Sequence, residues 1–377
     1  MRLLVSRHGA LRPITTALSR AFSRGRDAAA PSSSERHVAK IQTTPHLKRK
    51  LGQHLLITEK ILTDIVDAAA LPSLIAEKQR DDVDAVVRVL EIGPGTGNLT
   101  SALLAVSPAV HVHSVEYDAR MVERLQERFH ADRRRLVIEN CDFEDYEFAS
   151  DDGLHVDACV ANIPYQLSSL VISRLTNYMY RYPSQLRCAV LLVQDEFAQR
   201  LLAQPGTQNY SRLSVNTALI ADVTSVVKVG RNHFLPPPKV DSRVIKLTPK
   251  RVTTAATDDR DDSPSTTLLP SDADQSLFFQ RFDTLLRIVF LRKNKTLRAA
   301  LLNNTARSLM VDAEDRPIET SLSKEQLTAA VEESLAALEL STKRAVQLPV
   351  HDFVGLMAQL ETRGVRFRPS DTRHFRD

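Results

Sequence analysis

The sequence predicts an α/β fold: a mostly parallel β-sheet with helices on both faces, followed by a small helical domain. Three observations carry this. Short β-rich runs alternate with helix-length segments from Val86 to Leu247, a glycine-dense turn joins the first such run to its following helix, and after Leu277 the apolar spacing becomes helical. At 377 residues the chain is long enough for two ordinary domains and a tail.

Taken in order, residues 1 to about 36 are rich in Arg, Ser and Ala and nearly free of acids, with short amphipathic pieces such as Leu11 to Phe22, the composition of a mitochondrial transit peptide. A disordered basic arm on a nuclear or nucleolar protein has similar features, and Pro31-Ser32-Ser33-Ser34 is linker-like. The strand candidates are Val86–Ile92, Val110–Glu116, Leu136–Asn140, Val156–Ala161 and Cys188–Val193, with helices over segments such as Met121–Phe129 and Gln166–Asn177. Val223–Val229 and Val240–Leu247 follow without a clear crossover helix, which suggests antiparallel pairing. Residues 251–274 carry Asp258, Asp259, Asp261, Asp262, Asp272 and Asp274 and little apolar content, so a disordered linker or surface insertion is expected. Val331, Leu335, Leu338 and Leu340 mark the helical tail. The domain bounds that result are 1–36 for the leader, 37–250 for the main domain, 251–275 for the linker and 276–377 for the helical domain.

The charge is uneven. Residues 1–26 hold six arginines and no acid; setting these aside leaves 44 Lys and Arg against 46 Asp and Glu, so the body sits near −2 while the whole chain is +4. Any contact with nucleic acid must therefore rest on local patches. No apolar run approaches the roughly 20 residues of a membrane-spanning helix, so a soluble protein is expected. Cys141, Cys159 and Cys188 are far apart, which suggests neither a disulfide framework nor a zinc site, and no metal is expected.

The chemistry begins at Glu91-Ile92-Gly93-Pro94-Gly95-Thr96-Gly97-Asn98, directly after a β-rich run. Glycines here let backbone approach a ligand closely. The spacing is G-x-G-x-G where dinucleotide enzymes have G-x-G-x-x-G to seat a pyrophosphate; that difference points to S-adenosyl-L-methionine, which has no phosphate. Glu116 closes the next strand, where a carboxylate can accept from both ribose hydroxyls, and Asp142 follows the strand after that, placed to accept from an adenine amino group. The fourth strand runs into Asn162-Ile163-Pro164-Tyr165. A nucleobase exocyclic amine is a poor nucleophile because its lone pair is delocalised; the Asn162 oxygen and a neighbouring carbonyl held by the proline can bind its two hydrogens, and Tyr165 can stack on the base. Such catalysis is positioning and electrostatics, with no acid or base of special pKa.

With these residues in order, the chain resembles the KsgA-type ribosomal RNA adenine dimethyltransferases, in their eukaryotic branch. The resemblance is close from Lys48 to Pro249 and looser in the helical tail. It also includes Leu51-Gly52-Gln53-His54-Leu55-Leu56, Asn209-Tyr210-Ser211-Arg212, the His233–Ser242 segment with its Pro236-Pro237-Pro238, and Phe290-Leu291-Arg292-Lys293-Asn294-Lys295-Thr296-Leu297. The resemblance implies a Rossmann-like seven-stranded methyltransferase sheet and N6,N6-dimethylation of two adjacent adenines in the 3′-terminal hairpin of small-subunit rRNA, coupled to assembly of the pre-small ribosomal subunit. It implies that Gln53, His54 and Leu56 line the methionine end of the cofactor, that Gly93, Gly95 and Gly97 form its backbone cradle, and that Glu116 takes the ribose and Asp142 the adenine. Asn162 would serve both cofactor and target amine, and Phe234 would face the target base opposite Tyr165.

RNA contact is expected on Lys40, Lys48, Arg49 and Lys50, and on Arg287, Arg292, Lys293, Lys295 and Arg298. The chain departs from the family at Cys141, where glycine is usual, at Tyr117, and in two apparent insertions, residues 74–85 and 251–274. None removes a residue the chemistry needs. A non-catalytic mitochondrial assembly or transcription factor on the same scaffold, and a methylase of DNA or of a protein glutamine, are the competing readings; the Phe234 segment and basic tail weigh against the last.

Overall fold

The computed structural model describes residues 54–148, 155–182, 184–254, 266–269 and 275–370. The leader, Lys40, Lys48, Arg49, Lys50 and Gln53 lie outside them. The central element is a seven-stranded sheet of order β4-β3-β2-β5-β6-β9-β7, built from β2 Val87–Ile92, β3 Val110–Val115, β4 Leu136–Glu139, β5 Ala158–Asn162, β6 Cys188–Gln194, β7 Ala221–Val229 and β9 Ser242–Pro249. The first five are parallel, and β9 runs antiparallel to both β6 and β7. Two further strands, β1 Leu55–Leu56 and β8 Phe234–Leu235, form a separate antiparallel pair.

The β-branched runs form the sheet because both of its faces are covered, so that consecutive side chains are buried on opposite sides. Leu90 and Ile92 of β2, with Cys159 and Ala161 of β5, enter one core; Val87 and Val89, with Ala158 and Val160, enter the other. The second core is closed by α1 Glu59–Ala69, α3 Asn98–Leu104 and α4 Ala119–Arg128. The first is closed by α5 Ser168–Arg181, α6 Asp195–Leu201 and α7 Arg212–Ile220.

One expectation changes, and two segments gain detail. Residues 74–85, read as an insertion, begin within α2 Leu71–Lys78, which starts with a proline in its first turn, after Ala70 turns the chain in the left-handed region, and Lys78 is ion-paired to Asp157 at 2.8 Å beside β5. A helix does precede β7. Its sequence, Arg-Leu-Ser-Val-Asn-Thr-Ala-Leu-Ile, is poor in strong helix formers, but the Ser211 backbone N–H donates to Ser214 Oγ at 3.0 Å to cap α7, and buried Val215 and Leu219 hold it by packing. The acids of residues 251–274 lie outside the described residues; within that range β10 Arg251–Thr254 and β11 Thr266–Leu269 pair in parallel.

The helical tail comprises α8 Gln275–Leu291, α9 Leu297–Leu301, α10 Lys324–Ala337 and α11 Val350–Glu361 as its main helices. It is not a separate bead. Phe282, Leu285 and Leu286 of α8 are fully buried in the same core as the underside of the sheet.

Gly97 caps α3 at φ +81°, and a Cβ there would stand 2.5 Å from Phe129 and 2.8 Å from Leu125. Gly97→Ala therefore combines backbone strain with overpacking and should destabilise the fold by about 2–4 kcal/mol, read as a lower urea midpoint at unchanged slope.

Candidate functional site

Because β2, β3, β4 and β5 are parallel, their carboxyl ends lie along one edge of the sheet. The chain departs from β2 in opposite directions toward β3 and β5, and that reversal opens a crevice at the carboxyl edge. A cavity of about 360 Å³ occupies it. Its lining includes His54, Leu56, Gly93, Gly95, Glu116, Asp142, Asn162 and Tyr165.

The glycine turn makes the floor. Gly93 has φ +67°, which favours glycine, and an added Cβ would meet Pro164 Cδ at 3.3 Å, so the turn and the Asn162–Tyr165 segment approach closely. Glu116 is held at both oxygens: Gly95 N–H donates to Oε2 at 3.0 Å and Asp118 N–H to Oε1 at 2.9 Å. Burial holds its carboxyl above the ordinary range, and these two bonds offset part of that rise. Each oxygen keeps a lone pair for a further donor such as a hydroxyl. Asn140, which the sequence did not single out, donates from its amide to the carbonyl of Glu116 at 2.7 Å and so ties the end of β4 to the end of β3. Asp142 takes the Glu144 backbone N–H at 2.9 Å.

The opposite wall is assembled from distant segments. Leu56 pairs with Phe234 and Leu55 with Leu235. This brings the His54 ring nitrogen Nδ1 to 2.8 Å from the carbonyl oxygen of Pro236, a contact that needs the proton on Nδ1. His54 stacks on Tyr165 with centroids 6.0 Å apart and planes at 27°. The Tyr165 hydroxyl lies 2.6 Å from Ser242 Oγ, and burial holds the phenol above its ordinary range, partly offset by that bond. Asn162 Nδ2 donates to the carbonyl of His54 at 3.3 Å, which turns Oδ1 away from that contact.

Two predicted residues are placed otherwise. Gly97 does not line the cavity; its missing side chain is taken up by Phe129 and Leu125. Phe234 is only 2% exposed and is packed in the core beneath the site rather than presented to it, because its register with Leu56 turns the ring inward. The two departures both reach the cavity: Cys141 lines it, with its thiol pushed up to about 11 by burial and by the neighbouring Glu139, and Tyr117 stands at its edge, 62% exposed. Of the basic tail, Arg287, Arg292, Lys293 and Lys295 are exposed; Arg298, also exposed, is bonded to Glu332 at 2.6 Å.

The residue that sequence reasoning missed is Glu91. It lines the cavity yet is only 1% exposed, accepting from Thr100 Oγ1 at 2.6 Å and Ser114 Oγ at 3.3 Å. Burial raises its carboxyl from an ordinary 4.5 to about 7. The signal was available, since a lone acid interrupts an otherwise apolar strand.

Residues 45–263 match the family model described as ribosomal RNA adenine dimethylase. Among curated proteins, the probable dimethyladenosine transferase of Drosophila melanogaster is 34% identical over 85% of this chain and 92% of its own length. The ribosomal RNA small subunit methyltransferase of Arabidopsis thaliana is 40% identical over 69% of this chain and 62% of its own. The crystal structure of a dimethyladenosine transferase from Plasmodium falciparum aligns with a TM-score of 0.62 at 31% identity, covering 83% of this chain and 100% of that one. The crystal structure of the 23S rRNA methyltransferase ErmE, at TM-score 0.50 and 22% identity, shares the fold.

A carboxyl whose folded pKa is raised favours folding most below its unfolded value, and that contribution is lost as pH climbs through the folded value. Between pH 4.5 and 7 the Glu91 contribution should fall away by about 3 kcal/mol. Glu91→Gln, which keeps an acceptor for Thr100 and Ser114, should flatten the stability profile over that window and raise the urea midpoint at pH 8. An unchanged profile would show that Glu91 is charged in the fold.

Proposed function

The chain belongs to the ribosomal RNA adenine dimethylase family, and from that membership we propose that it is an S-adenosyl-L-methionine-dependent enzyme that dimethylates N6 of adjacent adenines in the 3′-terminal hairpin of small-subunit rRNA. The single observation that carries this reading is the meeting of Gly93, Glu116, Asp142 and Asn162 around one cavity.

The residues fit the cofactor. A carboxylate with spare lone pairs suits a ribose diol, the left-handed glycine turn allows close approach along the backbone, and the volume suits a nucleoside carrying an amino-acid arm. In this reading Glu116 holds the ribose, Asp142 the adenine edge, and His54, Leu56 and Gly93 the amino-acid end. Bound there, S-adenosyl-L-methionine supplies an electrophilic methyl group on a sulfonium.

The chain's own part is to prepare the amine. With Nδ2 engaged by the His54 carbonyl, Asn162 offers Oδ1 as an acceptor, and the backbone carbonyl ahead of Pro164 offers a second. Two acceptors on the two amine hydrogens draw the nitrogen out of conjugation and direct its lone pair. As nitrogen becomes cationic, the same dipoles stabilise it, and a proton can leave to solvent after the N–C bond forms. After the first transfer one hydrogen remains, and one acceptor is enough to orient it. Tyr165, clamped by Ser242 and flanked by His54, gives the base a fixed aromatic surface. Affinity for RNA would come from Arg287, Arg292, Lys293 and Lys295 on phosphates.

The Arg-rich, nearly acid-free leader supports a mitochondrial location, and hence the mitochondrial pre-small subunit as target; the alternative is the nucleolus.

Asn162→Ala should lower methyl incorporation into small-subunit rRNA by about 10²–10³-fold at saturating cofactor; equal incorporation by both proteins would defeat the assignment. Imaging of a C-terminally tagged chain should show mitochondrial signal that is lost on deleting residues 1–36, and nucleolar signal from the full chain would move the target to the cytoplasmic ribosome.

A further inference from the structure

A second cavity, of about 340 Å³, lies among α5, α7 and α8 and is nearly as large as the first. Its lining combines buried and exposed groups. Asp283 lines it and is only 4% exposed; its Oδ1 accepts from Asn216 Nδ2 at 2.8 Å and lies 3.6 Å from Arg212 Nε, while Oδ2 has no hydrogen bond among the described residues. Ile172, Phe279 and Phe290 supply apolar and aromatic wall. Arg200 and Lys293, both exposed and without an ion pair among the described residues, stand on the lining.

Asp283 is paired through Oδ1, and its Oδ2 keeps acceptor capacity for an N–H donor entering the cavity. The two exposed cations suit an anion, and the aromatic side chains suit a flat ring. One chemical class has all three complements: a nucleotide, with base edge, ring and phosphate. Guanine alone among the common bases presents two adjacent N–H donors on one edge, the complement of a carboxylate. Lys293 belongs to the basic run of α8 and the residues after it, so the mouth is continuous with the surface that would carry RNA phosphates.

We propose that this cavity is a second nucleotide site that takes one unpaired guanosine of the substrate RNA, extruded from the strand and held apart from the target adenine. That the nucleotide comes from RNA rests on the function proposed above; the chemistry of the pocket does not.

The test uses the full chain. Ser173→Trp, from α5, fills the cavity, and Arg200→Glu reverses a charge at its edge without touching the core. Base stacking contributes about 1–3 kcal/mol, so both should raise KM for the rRNA hairpin about ten-fold or more while kcat at saturating RNA and the Kd for S-adenosylmethionine stay as in wild type. Hairpin RNA substituted with 6-thioguanosine should photocrosslink to α8 in wild type and not in Ser173→Trp. An unchanged KM in Arg200→Glu, whose exposed site spares the fold, together with absence of the crosslink, overturns the proposal. Calorimetric titration with GMP and AMP separates the sources: GMP binding that Ser173→Trp abolishes, with KM for RNA unmoved, makes this a free-nucleotide site and overturns the RNA assignment. If wild type methylates no rRNA, the functional reading fails, while the GMP titration still reports on the pocket.

Discussion

Both oxygens of Glu116 are committed to backbone N–H groups, one from the glycine turn after β2 and one from the start of α4, and the geometry of the whole carboxyl edge depends on that. The bonds fix the turn against the end of β3, and they partly offset the burial that holds the Glu116 carboxyl above its ordinary range. Glu91 lies on the adjacent strand, and Glu116 is among the charges that push its carboxyl up. Two buried acids at one edge cannot both be charged cheaply. Burial raises both, and at each the bonded donors counter it: two backbone N–H groups at Glu116, the Thr100 and Ser114 hydroxyls at Glu91. Glu116 lines the cavity with lone pairs to spare, while Glu91 ties β2 to α3 and β3 beneath the turn.

The rest of the site is a matter of bringing distant chain together. A two-residue sheet joins Leu55 to Leu235, a single amide joins Asn162 to the carbonyl of His54, and a hydroxyl pair joins Tyr165 to Ser242. None is strong alone, at about 0.5–1.5 kcal/mol net each. They share His54 and Tyr165, whose rings stack, so loosening one contact loosens the acceptor, the aromatic surface and the cofactor wall together. Precision here comes from coupling among weak contacts on a rigid sheet.

The sequence was most legible where one physical demand acted on each residue. A strand buried on both faces is mostly apolar, and β2, β3, β5 and β6 were readable to within a few residues. Acids just past strand ends were readable because they break the apolar run. Legibility failed where two demands met in one residue. Gly97 shares the pattern of Gly93 but answers to Phe129 and Leu125 instead of a ligand, and no spacing rule distinguishes the two. Phe234 sits in a motif that suggested a presented ring, yet one step of register in the β1–β8 pair decides which way it faces. α7 was hidden because capping and packing, not propensity, hold it. Glu91 was visible as an anomaly, but its raised carboxyl follows from burial and from Glu116 beside it, which only the fold brings about.

The helical tail changes meaning once its core is seen to be the sheet's own. An appended domain could swing, and its charges would then act mainly as a diffuse attraction for phosphate. With Phe282, Leu285 and Leu286 sealed against the underside of the sheet, the basic residues that close α8 stand at a set position relative to Asn162 and Tyr165. Electrostatic contacts that are rigidly placed specify register as well as affinity, so under the proposed function the distance from cation cluster to cavity would act as a ruler along the bound strand. Sequence selectivity in such an enzyme need not come from reading many bases, because a fixed frame that accepts an extruded base at one point restricts which adenine can reach the other.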